Sequence, residues 1–352
     1  MKVTRIAVIG GDGIGPEVTE QACRVLAAVD ALGLARIEMR DFPHGADHFL
    51  ETGETLSDAT FFELRDEHDA ILFGAVGDPR VPDGRHARDL LLGLRFRLDL
   101  FVNKRPLLMR APDLSPLKRA SEIEIDFVIY RENTEGMYGG HGRLEHEGTA
   151  EEVATSEATA SRRAVERIVR LAFAAARSRH RSVTLSDKAN AVPHMYGLWR
   201  RVFGEIAATC PDVRSETRYV DALAMELVRS PERFDIIVTE NLIGDILSDL
   251  GAELIGGPGL APSANINPGR HGLYEPVHGS APDIAGRNRA NPMGAVLSAA
   301  LLLRDHGAAP AADLIESAVT EALLEGLRTP DVGGTATTTE VGDWLCQRVR
   351  AG

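Results

Sequence analysis

Arg5-Ile6-Ala7-Val8-Ile9-Gly10-Gly11-Asp12-Gly13-Ile14-Gly15-Pro16-Glu17 sets an apolar run against a glycine-rich turn and the start of a helical pattern. The run Arg5 to Ile9 is short and partly β-branched, which predicts a buried strand. Val18, Ala22, Val25, Leu26 and Val29 then recur at helical spacing. Pro16 and Glu17 suit a first helical turn, where proline loses no hydrogen bond and an acid faces the helix dipole. Strand, glycine turn and helix in this order belong to an α/β protein. The glycines do not follow G-x-G-x-x-G, so the turn does not predict an ordinary Rossmann domain. A turn pressed close to a bound nucleotide and a purely structural turn both fit these residues.

The alternation continues along the chain. Ala70 to Val76, Ile125 to Tyr130, Ser182 to Leu185 and Phe234 to Val238 read as strands. Ser161 to Arg179, Trp199 to Ala207, Ala295 to Leu303 and Leu314 to Leu327 read as helices, with a last short helix near the end. At 352 residues the chain is long enough for two domains, and neither an internal repeat nor a low-complexity linker interrupts it. A net charge of -13 argues against nucleic acid or an anionic membrane as partner, since both need a basic face. Cys23, Cys210 and Cys346 are few, odd in number and far apart, which fits a reducing compartment. With no secretory h-region and no span of about 20 apolar residues, the expectation is a cytoplasmic protein.

Chemistry concentrates at strand ends. After Thr239 and Glu240 comes Asn241-Leu242-Ile243-Gly244-Asp245-Ile246-Leu247-Ser248-Asp249-Leu250-Gly251-Ala252-Glu253. On a helix, Asp245 and Asp249 share one face, with Ile246, Leu247 and Leu250 on the other side. Two carboxylates one turn apart suit a hard divalent cation held by oxygen; two aspartates favoured by the helix dipole are the plainer reading. A loop after Gly77-Asp78-Pro79 carries Arg80, Arg85 and Arg88, followed by Leu90 to Arg97. Arg95, Arg105 and Arg131 offer bidentate recognition of a small polyacid, whereas Arg80, Arg85, Arg88 and Arg97 read as surface salt-bridge partners. Polar and glycine residues from Arg131 to Gly148 suggest a loop or hairpin arm of the kind that serves dimerisation. Lys188 and Asp221 stand at further strand ends. The segment from Gly256 to Asn265 reads as turn-rich, and Glu275 to Gly286, with His278 and Asp283, reads as a loop shaped to touch a ligand by its backbone.

With these stretches in hand, the chain resembles the metal-dependent β-decarboxylating dehydrogenases, the family of the 3-isopropylmalate, isocitrate, homoisocitrate and tartrate enzymes, and lies nearest its 3-isopropylmalate members. The resemblance rests on Gly11 to Glu17, the Arg95/Arg105/Arg131 set, Asn241 to Asp249 and Glu275 to Asn291, in that order. It implies an isopropylmalate dehydrogenase-like α/β fold of two domains sharing a large mixed sheet. The first domain comprises residues 1–102 and 253–352 and binds the cofactor; the second, residues 103–252, carries dimerisation, metal and catalytic residues. It also implies a homodimer with shared active sites.

Carried over residue by residue, the resemblance implies that Arg95, Arg105 and Arg131 hold malate carboxylates. Asp245 and Asp249, with Asp221 of the other subunit, would bind Mg2+ or Mn2+. Lys188, also from the other subunit, would be the base and Tyr138 the acid. Glu275, His278, Gly279, Ser280, Ala281, Asp283, Ile284 and Asn291 would line the site for NAD, and the Asp283 carboxylate would repel a 2′-phosphate. Leu91 and Leu92, in the turn before Arg95, match positions that contact an isopropyl group and favour an alkyl substituent. Arg131 to Gly136 reads more like the isocitrate, homoisocitrate or tartrate members, and Arg85 and Arg88 leave room for a more anionic substituent. A non-catalytic regulatory subunit would be expected to lose metal or base residues, and this chain keeps Lys188, Tyr138, Asp221, Asp245 and Asp249.

Overall fold

The computed structural model describes residues 2–352. Two compact units share the chain. The first takes the residues up to Leu100, Pro106–Glu124 and Ala252–Gly352, and the second takes Phe101–Arg105 and Ile125–Gly251. Pro106–Glu124, expected with the second domain, groups with the first because Ala111 and Leu114 pack into that unit's core.

In the first unit the chain opens with strand β1 (Val3–Gly11), helix α1 (Gly15–Ala31), β2 (Arg36–Asp41), α2 (Ala46–Thr52), α3 (Asp58–Glu67), β3 (Ala70–Ala75) and α4 (Arg85–Arg97). Strand β4 (Val102–Leu108) starts in the second unit and ends in the first. The second unit continues with β5 (Asp126–Glu132), a hairpin of β6 (Gly142–Glu145) and β7 (Val153–Ser156), α5 (Arg162–Ala176) and β8 (Ser182–Asp187). Then come α6 (Pro193–Ala208), β9 (Arg214–Tyr219), α7 (Val220–Arg229), β10 (Ile236–Thr239) and α8 (Asn241–Leu254). The first unit closes with β11 (Pro262–Asn267), β12 (His271–Pro276), α9 (Met293–Asp305), α10 (Ala309–Leu324) and α11 (Thr338–Ala351).

Ten strands form one sheet in the order β2-β1-β3-β12-β11-β4-β5-β10-β8-β9. It is mixed: β1 pairs β2 and β3 in parallel, β12 pairs β3 in parallel, and β11 runs antiparallel to β12. Strands β5, β10, β8 and β9 are parallel neighbours in the second unit. Parallel strands covered on both faces read as near-continuous apolar runs, which is why β3 (buried throughout) and β10 were legible. Helix α9 is buried at every residue from Met293 to Leu303 and packs with α1, α10 and α11 in the first core. Helix α5 buries Val165, Ile168, Val169, Ala172, Phe173 and Ala176 at helical spacing, and Ser161 Oγ caps it by accepting from Ala164 N at 3.1 Å.

Three local expectations change. The arginine- and leucine-rich loop after Gly77 is the helix α4 from Arg85 onward, so Leu91, Leu92 and Arg95 sit on a helix. Its buried stripe is His86, Leu90 and Leu94, an i, i+4, i+8 pattern that the run of three leucines obscures. The turn-rich segment is strand β11 from Pro262, and Glu275 ends strand β12 rather than opening a loop; proline is tolerated as the first residue of a strand. Ile246, placed with Leu247 on the side away from the carboxylates, is 59 % exposed whereas Leu247 is buried. Among the described residues no helix is long and apolar enough to cross a membrane.

Candidate active site

Helix α8 begins two residues after β10 and is started by Glu240, whose carboxylate accepts from Leu242 N at 3.0 Å and Ile243 N at 2.8 Å. These are orphan N–H groups of a first turn, and a buried acid satisfies them as a cap would. Ile243 and Leu247 turn inward, while Asp245 and Asp249 project one turn apart as the sequence spacing required.

Five of the expected site residues meet here. Arg131, at the end of β5 and 2 % exposed, pairs with Asp245 Oδ1 through Nη1 and donates from Nε to Asn241 Oδ1 at 2.9 Å. Arg105, on β4, reaches Asp249 Oδ1 at 3.0 Å, Asp245 Oδ1 at 3.4 Å, Ser248 Oγ at 2.6 Å and Asn103 Oδ1 at 2.8 Å. The Tyr138 hydroxyl donates to Asp245 Oδ2 at 2.7 Å, and the Arg131 guanidinium lies 5.3 Å from the Tyr138 ring centre. Desolvation, and then repulsion from Asp245, push the Asp249 carboxyl above its ordinary range against the pull of Arg105. A further positive charge beside it would be stabilised, so a pair of oxygen donors of this kind fits a hard cation.

Asp221, expected with Asp245 and Asp249, is placed elsewhere in the chain. Asp221, in the first turn of α7, pairs with Lys188 Nζ at 2.9 Å, and that hydrogen bond holds its carboxyl below the usual range. Among the described residues no group of three or more His, Cys, Asp or Glu side chains converges on a common point, so Asp221 does not join Asp245 and Asp249. Lys188 and Asp221 thus form an ion pair apart from that cluster.

Behind the cluster are residues the sequence reading did not assign. Glu132, at the end of β5, is pushed up by burial and accepts from Thr134 N at 2.9 Å and Glu135 N at 2.7 Å. Asn241 bridges Arg131 and the Glu135 carbonyl, the latter at 3.0 Å. Together they fix the turn that delivers Tyr138. Their signal was position alone, immediately before and after the residues already chosen.

In the first unit Arg95 Nη2 pairs with Glu275 Oε1 at 3.1 Å, and Asn265 Nδ2 donates to the same oxygen at 2.7 Å. Leu91 and Leu92 are half-buried on α4. The His278 to Ile284 loop lies over the glycine-rich turn: Ile14 N donates to Ser280 O at 2.8 Å, and a Cβ at Gly13 would stand 1.9 Å from that oxygen. Glu17 accepts from Gly286 N, pinning the far end of the loop. The glycine turn is therefore the floor on which this loop rests. Ala281 adopts φ +38°, a backbone conformation that costs an L residue of order 1–3 kcal/mol and clusters at ligand sites. Burial lowers the His278 pKa, and His278 Nε2 is buried without a hydrogen-bond partner. Gly279 leaves open space where a side chain would be, and Asp283 is exposed. An orphaned buried nitrogen, open backbone and an exposed carboxylate fit a polar dinucleotide. Asn291 is buried, donating to Asp331 Oδ2 at 3.1 Å and accepting from Met293 N at 3.0 Å.

The family model for isocitrate/isopropylmalate dehydrogenase matches residues 5–345. This chain belongs to that family. It is an enzyme of the β-decarboxylating dehydrogenase type. It is 45 % identical over 351 residues to a 3-isopropylmalate dehydrogenase of Thermobifida fusca, covering 99 % of this chain and 98 % of that one. To the enzyme so named in Corynebacterium diphtheriae it is 47 % identical over 345 residues, covering 96 % and 97 %. Among solved structures, isocitrate dehydrogenase from Methylococcus capsulatus matches with a TM-score of 0.90 at 36 % identity, covering 99 % of each chain. A β-decarboxylating dehydrogenase from Thermococcus kodakarensis matches at 0.80 and 38 % identity, covering 99 % of this chain and 96 % of that one.

Proposed function

We propose that this dehydrogenase oxidatively decarboxylates 3-isopropylmalate to 4-methyl-2-oxopentanoate with NAD and Mg2+ or Mn2+, a step of leucine biosynthesis. The observation that carries the proposal is the second-unit cluster of Arg105, Arg131, Tyr138, Asp245 and Asp249, two carboxylate clamps and an acid around a pair of oxygen donors. The near-full-length identity to 3-isopropylmalate dehydrogenases supports the substrate. Asp245 and Asp249 would hold the cation, while His278, Ala281, Asp283 and Ile284 would line the dinucleotide. When bound, the two groups supply Lewis-acid polarisation of the C2 oxygen and a hydride acceptor.

The chain's own residues do the rest. Arg95, Arg105 and Arg131 orient the malate carboxylates; guanidinium forks match them in a bidentate way. Lys188 takes the C2 hydroxyl proton, and Tyr138 returns one to carbon after carbon dioxide leaves. Because Asp221 and Lys188 stand apart from Asp245 and Asp249 in one chain, we assign them to the site of a second copy. Met225 and Ile246, 69 % and 59 % exposed, with Leu242 and Val228, give α7 and α8 an apolar face suited to that copy. The hairpin β6–β7, exposed along both strands, is too small to be stable by itself and suits an arm reaching the same partner.

An alkyl substituent is supported by Leu91 and Leu92, and by the outward arginines of α4 being engaged. Arg85 pairs with Asp83 at 2.7 Å and Arg88 with Asp89 at 3.3 Å. These pairs are exposed and weak, so a tartrate, isocitrate or other 3-substituted malate is the second reading. The test is NADH production with Mn2+ across 3-isopropylmalate, isocitrate, homoisocitrate, tartrate and malate, compared as kcat/KM. A preference of about 10- to 200-fold or more for 3-isopropylmalate is expected, the range an apolar pocket delivers; a preference for any tricarboxylate would overturn the alkyl reading.

A further inference from the structure

Helix α4 begins badly. Its N-cap is Gly84 in the left-handed region, which has no side chain to cap with, so only Asp83 before it accepts from Arg85 N, at 3.2 Å, and the first turn itself holds no acid. Instead it carries Arg85, His86 and Arg88 at the positive end of the helix dipole, where cations are unfavourable. Asp83 is exposed, and the buried contact at this end comes from elsewhere. His86 is fully buried and places Nε2 2.9 Å from Asp12 Oδ2. Asp12, equally buried in the glycine-rich turn, also accepts from Gly77 N at 2.8 Å and, through Oδ1, from Ala46 N at 2.6 Å. One carboxylate therefore ties four segments: the glycine turn, the start of α2, the loop after β3 and the first turn of α4. The His86 ring lies nearly parallel to Phe49 of α2, interplanar angle 25°.

For packing alone a hydrocarbon would serve here. His86 Nδ1 is buried without a hydrogen-bond partner, so the imidazole gains one contact and leaves half its polarity unanswered. Leucine would fill the same stripe as Leu90 and Leu94 but would leave the buried Asp12 carboxylate without its side-chain donor. The retained imidazole points to a need for the Asp12 contact itself.

We propose that His86 is a positioning residue for substrate recognition: by donating Nε2–H to Asp12 it fixes the first turn of α4, and through that turn the register of Leu91, Leu92 and Arg95. This deepens the alkyl-substituent reading above and rests on it. The imidazole touches no reacting atom. It acts through the helix, so its loss alters recognition of the substituent rather than the chemical step.

The experiment compares His86→Leu and His86→Gln with the wild-type enzyme. Glutamine can offer an amide N–H near the position of Nε2, whereas leucine cannot. Expected for His86→Leu are an unfolding temperature lowered by a few degrees, a KM for 3-isopropylmalate raised about 5- to 20-fold with kcat within about twofold, and a narrowed kcat/KM ratio between 3-isopropylmalate and malate. His86→Gln should recover most of the KM and the ratio. Amide hydrogen exchange over residues 77–92, measured without substrate, should quicken in the leucine variant and not in the glutamine one. Unchanged KM and unchanged exchange in His86→Leu would overturn the proposal, as would failure of glutamine to restore either. If the wild-type enzyme does not turn over 3-isopropylmalate, the functional reading fails; the exchange comparison then decides the anchoring of α4 separately.

Discussion

Gly244 sits in the first turns of α8 with its missing side chain aimed at Arg131. A methyl group there would stand 2.7 Å from Arg131 Cβ and 2.6 Å from Cγ. Carbon atoms pack at about 3.5–4.0 Å, so Gly244→Ala demands a displacement of roughly 1 Å at the root of the arginine. Rotation of the outer torsions cannot relieve it. Arg131 is also held by its strand, where it lies opposite Thr239 of β10. On stability the terms nearly oppose: alanine in a helix interior gains about 1 kcal/mol over glycine, and overpacking costs about 1–3 kcal/mol. The net loss is about 0–2 kcal/mol, small enough for the variant to fold. On activity they do not cancel, because the guanidinium that meets Asp245 and Asn241 moves with its root. A misplacement of about 1 Å in a positioning group costs on the order of 100-fold.

The assay is kcat/KM with 3-isopropylmalate, NAD and Mn2+, alongside thermal unfolding of the same preparation. Gly244→Ala should lose about 100-fold in kcat/KM while melting within a few degrees of wild type. Ordinarily a helical glycine-to-alanine change stabilises and is silent. Wild-type kcat/KM together with a raised unfolding temperature would therefore refute the reasoning, since it would mean that α8 accepts the methyl without moving Arg131.

Two other outcomes follow from the same geometry. His44, His271 and His278 each have a pKa lowered by burial, so they stay neutral in the fold while the unfolded chain titrates near about 6.5. Below that pH the unfolded state binds more protons, so stability should fall as the pH drops from about 6.5 towards the folded pKa values, by about 1.4 kcal/mol for each unit of depression. Calorimetric unfolding at several pH values between 8 and 5 reads this slope, and His271→Gln, which keeps a donor for the Leu64 carbonyl, should flatten it; an unchanged slope would remove His271 from the account. On the proposed shared site, Met225→Glu on the exposed face of α7 should shift the sedimenting species from dimer to monomer and abolish activity, whereas an intact, active dimer would place the interface elsewhere.

The parallel strands β1, β3, β5, β8 and β10 are legible because burial leaves an apolar run, while β2, mostly exposed, is not; α5 is legible because one face is apolar and the other charged. Helix α4 was not, since Leu90-Leu91-Leu92 hides which leucine belongs to the buried stripe, and the stripe's first member is a histidine. Strand β11 was read as turns because Pro262, Ser263 and Asn265 are turn residues by type; their burial beside β12 overrides the local preference. Of the candidate site, the residues with a distinctive spacing or charge stood out: Asp245, Asp249 and the arginines. Asp12, Glu132, Glu240 and Asn241 did not, because their work is to satisfy backbone N–H groups or orient another side chain, and nothing in the local sequence records which group lies opposite.

Ile246 shows the limit most clearly. A two-sided reading of α8 gives an apolar face and an acidic face, and it places Ile246 with Leu247 on the apolar one. The helix has three faces: Ile243 and Leu247 inward, Asp245 and Asp249 towards the arginines, and Leu242 and Ile246 outward with no cover in a single chain. On the proposed metal site, an apolar side chain that is 59 % exposed stands beside two carboxylates that would take a third donor from elsewhere. A second copy that covers Ile246 and brings Asp221 would meet both at once. Loss of the apolar contact should therefore weaken the cation site as well, even though Ile246 carries no ligand atom.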